Sequence, residues 1–104
     1  MYKGTTPTFI FTAPEGLDLT QATEIYVTFS KMNEVEIFTK KGNELTVTSD
    51  SVGVYLTQEE TLSFPDNTIK IQINWTYSEG GKVKRACSEK MIISAKHNLK
   101  NEVL

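Results

Sequence analysis

From Ile69 to Tyr77 the chain alternates without a break: Ile69, Ile71, Ile73, Trp75 and Tyr77 hold one phase, and Lys70, Gln72, Asn74 and Thr76 hold the other. Successive side chains on a pleated backbone point to opposite sides, so this period of two predicts a long strand with one buried and one wet face. A helix would instead place its apolar residues three and four apart. Ser78–Lys82 closes a hairpin around Gly80-Gly81, because glycine reaches the positive φ values that tight hairpin turns require. The return strand begins at Val83 and changes phase part-way. Ala86 and Ser88 follow one phase; Met91, Ile93 and Ala95 follow the other. A bulge between Cys87 and Lys90 would shift the face and reconcile the two halves.

The same period recurs upstream. Thr8–Thr12 reads as a first strand, with Phe9 and Phe11 on one face and Ile10 on the other. Either both faces are covered, or Phe9 and Phe11 meet a partner. Ile25, Val27 and Phe29 alternate with Glu24, Tyr26, Thr28 and Ser30 and are expected in the core. Val35–Thr39 gives a third strand, followed by a turn at Lys40-Lys41-Gly42-Asn43. Leu45 with Val47, then Val52, Val54 and Leu56, mark two more strands on either side of the polar turn Ser49-Asp50-Ser51. Leu17–Thr23 reads as an approach segment with at most one helical turn, and a short helical turn is expected after Leu56. Asp18 can cap the first, with Gln21 three positions on. Thr57 and Glu60 have capping-box spacing for the second, which should turn Leu62 and Phe64 inward. The tail, residues 97–104, has no assigned element: it frays, or it docks Leu99 and Val103.

Composition agrees with the pattern. Of 104 residues, 14 are Thr, eight Ile and seven Val, whereas only four are Ala. Side chains branched at Cβ suit a pleated, half-buried surface. Strand signals every eight to twelve residues, with no long helical pattern, predict an all-β fold. The expected architecture is a two-sheet antiparallel β-sandwich of about seven strands with one short helical turn, formed by residues 1–104 as one domain. A small barrel is the alternative.

Candidate chemistry is sparse. Eleven Lys and Arg stand against 13 Asp and Glu, which disfavours a nucleic-acid partner needing surplus cations for phosphate. Apolar runs are only a few residues long, so no membrane span is expected, and residues 1–11 lack the apolar stretch of a signal peptide. The single Cys excludes an internal disulfide. His97, the only imidazole, has no Ser or Cys in a recognisable arrangement beside it, and Cys87 reads as a buried or half-buried strand thiol. Asp50, Asp66, Glu59 and Glu60 do not have the spacing of a calcium loop. No catalytic residue, cofactor or metal is assigned. Lys82, Lys84, Arg85 and Lys90, interleaved with Glu79 and Glu89, read as a charged sheet surface. Asn74-Trp75-Thr76 matches a glycosylation sequon but falls within a strand. Tyr26 and Tyr55 sit on the polar phases of their strands, as solvent-side cross-strand aromatics or as anchors for a partner.

Several stretches resemble one family: Gly4-Thr5-Thr6-Pro7-Thr8-Phe9, Ile25-Tyr26-Val27-Thr28-Phe29, Leu56-Thr57-Gln58-Glu59-Glu60-Thr61-Leu62-Ser63-Phe64, and Ile71-Gln72-Ile73 with its glycine hairpin. The ending, Leu99 followed by Glu102-Val103-Leu104, is similar too. They resemble small structural proteins encoded in the tail regions of phages and prophages of Firmicutes. Asn74-Trp75-Thr76-Tyr77 departs from the basic, Val-rich strand common there. The resemblance implies an immunoglobulin-like sandwich acting as a tail or baseplate component. It would be located in the virion and assembled in the bacterial host cytoplasm. Its partners would be other phage structural proteins or further copies of itself. Expected contacts are Phe9, Phe11, Tyr26, Tyr55 and the tail. The alternative is a carbohydrate-binding module for host attachment, with Tyr26 or Tyr55 as the aromatic platform.

Overall fold

A computed structural model describes all 104 residues. The strands are β1 (Thr8–Thr12), β2 (Glu24–Ser30), β3 (Glu36–Lys41), β4 (Leu45–Val47), β5 (Ser51–Tyr55), β6 (Asn67–Glu79), β7 (Lys82–Cys87) and β8 (Met91–Ala95). One short helix, α1 (Gln58–Leu62), joins β5 to β6. The strands form the expected two antiparallel sheets. The smaller has the order β1-β5-β4, and the larger runs β3-β2-β6, with β7 and β8 both on the far edge of β6.

The phase change after Val83 is a register shift. Asn74 faces Cys87 and Ile71 faces Met91, so three steps along β6 match four along its partner. One extra residue sits in the segment Ser88-Glu89-Lys90. Counted as one bulged ribbon, β7 and β8 make the strand total seven. Ser88 maintains the ladder through the break. Its N–H donates to the Ile73 carbonyl at 2.8 Å, and its Oγ accepts from the Ile73 N–H at 3.0 Å. The shift puts Met91, Ile93 and Ala95 on the core side, where Ala95 is fully buried. At the other end Gly80 (φ +60°) and Gly81 (φ +76°) form the two-residue hairpin turn.

The core lies between the sheets. The larger contributes Ile25, Val27, Phe29, Ile69, Ile71 and Ile73; the smaller contributes Leu45, Val52 and Val54; Leu19, Leu56 and Phe64 enter from the connections. Phe29, Phe38 and Phe64 pack with ring centroids 4.9–5.9 Å apart. Burying such rings dominates core energetics in a domain of this size.

Four details differ from the sequence expectations. Lys40 and Lys41 do not turn the chain; they complete β3, and a 3-10 turn at Gly42–Glu44 follows. Phe38 lies opposite Phe29 and Lys40 opposite Val27, so pairing with β2 forces Lys40 onto the core side, where it is buried. In α1 the capping box of Thr57 and Glu60 forms and Phe64 is buried, but Thr61 rather than Leu62 is fully enclosed. Thr61 Oγ1 accepts from the Gly4 N–H at 2.9 Å and donates to the Thr5 carbonyl at 2.8 Å, which pins the N-terminal segment to the helix. Finally, Leu99 is exposed and does not dock, while Leu104 N–H reaches Gln58 Oε1 at 2.7 Å.

Candidate functional site

The outer face of the larger sheet is the most developed polar surface. Its residues follow from phase: Ile25, Val27 and Phe29 point inward on β2, so Glu24, Tyr26, Thr28 and Ser30 point outward. Register then sets neighbours. Tyr26 lies between Lys41 of β3 and Asn74 of β6, and Thr28 lies between Thr39 and Gln72. Thr28 and Thr39 hydroxyls meet at 3.1 Å. The Arg85 guanidinium donates to Asn74 Oδ1 from Nε at 3.2 Å and from Nη2 at 3.0 Å. Gln72 Nε2 donates to the Ser88 carbonyl at 2.9 Å, so the bulge also holds this amide in place. Tyr26 donates its hydroxyl to Glu24, and that hydrogen bond holds the phenol above its ordinary pKa.

Two depressions follow this face, and a larger one adjoins them at one end, where it opens between the two sheets. The largest, about 690 Å³, lies where β2 begins and β3 ends, between the 3-10 turns at Leu19–Gln21 and Gly42–Glu44. Leu19, Ile25, Leu45 and Val47 give it an apolar floor, Thr20, Thr23, Lys41 and Asn43 a polar rim, and it shares Glu24 and Tyr26 with a second depression of about 380 Å³. The second shares Thr28, Asn74 and Arg85 with a third of about 310 Å³, which carries Gln72, Lys70 and Lys90. Glu34 bridges Lys70 at 3.1 Å and Lys90 at 2.6 Å, and these two hydrogen bonds, Lys90's foremost, hold its carboxyl below the usual range.

The four residues singled out as contacts divide. Tyr26 is half-buried at the junction of the first two depressions. Tyr55 is exposed on the outer face of the smaller sheet, the opposite side of the sandwich. Phe9 and Phe11 stack on each other at 6.2 Å and pack against the core, which leaves Ile10 as the exposed apolar residue of β1, between exposed Thr8 and Thr12. Phe11 still borders an apolar cleft of about 360 Å³ with Leu17, Trp75 and Met91. Sequence reasoning missed Gln72, Asn74, Thr28, Thr39 and Arg85 as a group. The available signal was the amide pair Gln72 and Asn74 on successive wet positions of the longest strand.

Reactive groups are scattered. Cys87 is exposed, contrary to the expected buried or half-buried thiol, because it falls on the outward phase of β7 opposite Asn74. His97 lies beyond the pair Asn67–Ala95, with Nδ1 3.9 Å from Asp66 Oδ1. Seven residues of β6 separate the two levels, roughly 23 Å at strand rise. Asp66 also accepts from the buried Lys3 at 2.9 Å, and that bond is the main reason its pKa lies low. Glu60 meets the buried Lys40 at 2.6 Å. Burial pushes the Glu60 carboxyl up, but its bonds to Lys40 and Thr57 outweigh it and bring the pKa below the ordinary value. No group of three or more His, Cys, Asp or Glu is placed to hold a metal ion.

No protein-family model matches the chain, and no curated protein or solved structure is significantly similar to it.

Proposed function

We propose that this protein is a structural component of a phage or prophage tail or baseplate, acting through protein contacts and without catalysis. The residues that resemble tail-region proteins, Gly4–Phe9, Ile25–Phe29 and Leu56–Phe64, support the phage assignment. The observation that carries the assembly role is the β6–β7 ribbon. β2 leaves β6 at Thr76, so Tyr77–Glu79 and Lys82–Lys84 pair only with each other. The molecule is correspondingly long, 52 Å against 26 and 21 Å. A bare two-stranded ribbon is marginal in water and gains from a neighbour that covers it. Its free β7 edge offers unpaired backbone groups for strand addition, and Val83, 76% exposed, lies at its tip. Neighbouring tail proteins or further copies of this chain would cover that edge during assembly in the host cytoplasm.

Mass spectrometry of purified particles is the test. The protein is expected in virions of the phage that encodes it, and incorporation should fall when Val83→Asp charges the ribbon tip. Particles that lack the protein would overturn the assignment.

A further inference from the structure

We propose that the outer face of the larger sheet binds a neutral oligosaccharide several sugar units long. This goes beyond the assembly role and does not rest on it. The first observation is continuity. The three depressions join through shared residues, Glu24 and Tyr26 at one junction and Thr28, Asn74 and Arg85 at the other. They follow β2 from Glu24 to Ser30, roughly 20 Å at strand rise, so the track is polymer-shaped rather than a single small-molecule pocket.

The second observation is charge. Lys41, Lys70, Arg85 and Lys90 line the track, and Glu24, Glu34, Glu36 and Glu44 line it equally. Four cations against four anions give neither an acidic nor a basic polymer a complementary potential. A polyhydroxylated neutral chain loses nothing by that balance.

The third observation is the chemistry of the central floor. Asn74 accepts two hydrogen bonds from Arg85 through Oδ1, which leaves its NH₂ group unpaired. Gln72 is anchored through Nε2, which leaves Oε1 unpaired. One free donor and one free acceptor on adjacent outward positions match sugar hydroxyls, each of which both donates and accepts. Tyr26 supplies the one outward aromatic surface against which the C–H face of a sugar ring can lie. These groups stand on paired strands, so little ordering cost opposes binding. A protein partner fits the two central depressions less well: its hot spots need apolar anchors in desolvated pockets, the side chains of Ile71 and Trp75 belong to the inward phase, and apolar lining from Leu19, Ile25, Leu45 and Val47 is confined to the end depression.

The test uses the full chain and ladders of gluco- and galacto-oligosaccharides from the disaccharide upward, after a glycan-array screen that selects the ladder. Poly-glutamate and oligogalacturonate serve as acidic comparisons. A neutral ladder should bind with affinity that rises with chain length. Asn74→Ala and Tyr26→Ala should each weaken it about tenfold, the value of one good polar or stacking contact. Tyr55→Ala, on the other sheet, should leave it unchanged, and Gln72→Ala gives a second polar probe if Asn74→Ala loses stability. Array-wide absence of neutral binding by folded protein would overturn the proposal. So would preference for either acidic probe, affinity independent of length, or an equal loss in Tyr55→Ala.

Discussion

Lys40 is a cation enclosed in the core, and removing its partner should cost far more than removing the cation itself. Its Nζ lies 2.6 Å from Glu60 Oε2 and 3.9 Å from Glu44 Oε2, with the Lys40 side chain 9% exposed. Glu60→Gln keeps an oxygen for the Thr57 N–H, now bonded at 2.9 Å, so the cap survives, while the charge and the acceptor that faced Lys40 are lost. Breaking a buried pair this way leaves an uncompensated charge and costs about 3–5 kcal/mol. Two features lower that figure: the Glu60 side chain is 25% exposed, and Glu44 remains within reach. A loss of about 2–3 kcal/mol follows, and for a domain near this length it should lower Tm by about 10 °C or more. Lys40→Met fills the same space with an apolar chain and leaves Glu60 with its Thr57 bond and access to water. Its cost should stay below about 1 kcal/mol, and the double variant should resemble Lys40→Met alone. Urea unfolding followed by Trp75 fluorescence measures all three, with an unchanged m value as the control. A Lys40→Met variant as unstable as Glu60→Gln, or a Glu60→Gln variant within half of one kcal/mol of wild type, would refute the reasoning.

Three further outcomes are expected. Ser88→Ala removes the acceptor for Ile73 N–H at the bulge and should cost about 1–3 kcal/mol, with faster hydrogen exchange at the Ile73 amide as the local readout. Gly80→Asn should be neutral or slightly stabilising, since Asn tolerates that turn position, whereas Gly81→Val should cost about 1–2 kcal/mol from φ alone; nothing lies within 4 Å of either added Cβ, and thermal unfolding separates the two. Glu34, Glu60 and Asp66 all have folded pKa values below their ordinary 4.5, 4.5 and 3.8. Their contribution is therefore full above the ordinary values and is lost as pH falls through the lower folded ones, so urea midpoints should hold steady near neutrality and drop in the acid range below about pH 4. Glu34→Gln should make that acid drop shallower.

Much of the fold was legible because alternation is a local signal. β1, β2 and the Ile69–Tyr77 core of β6 follow from side-chain phase alone, and the change of phase after Ala86 revealed the bulge before any pairing was known. Capping at Thr57 was visible because both of its partners lie within four residues. What remained hidden depends on distant partners. Lys40 reads as a turn residue until Glu60, twenty positions on, supplies its counter-charge. Nothing near Thr61 in the sequence marks it as enclosed, because the groups that hold it, Gly4 and Thr5, lie more than fifty positions away. The polar track was hidden for the same reason. Tyr26, Gln72, Asn74 and Arg85 lie on three strands, and only register brings them together.

The register shift in the larger sheet is the point on which both the core and the polar face depend, and cross-strand nuclear Overhauser contacts measure it directly. Trp75 should face Ala86 while Ile69 faces Ile93, one residue out of step. Contacts that pair Ile69 with Ile92 instead would carry a single register through the ribbon. That pairing would turn Met91 and Ile93 toward water and contradict the sandwich described above.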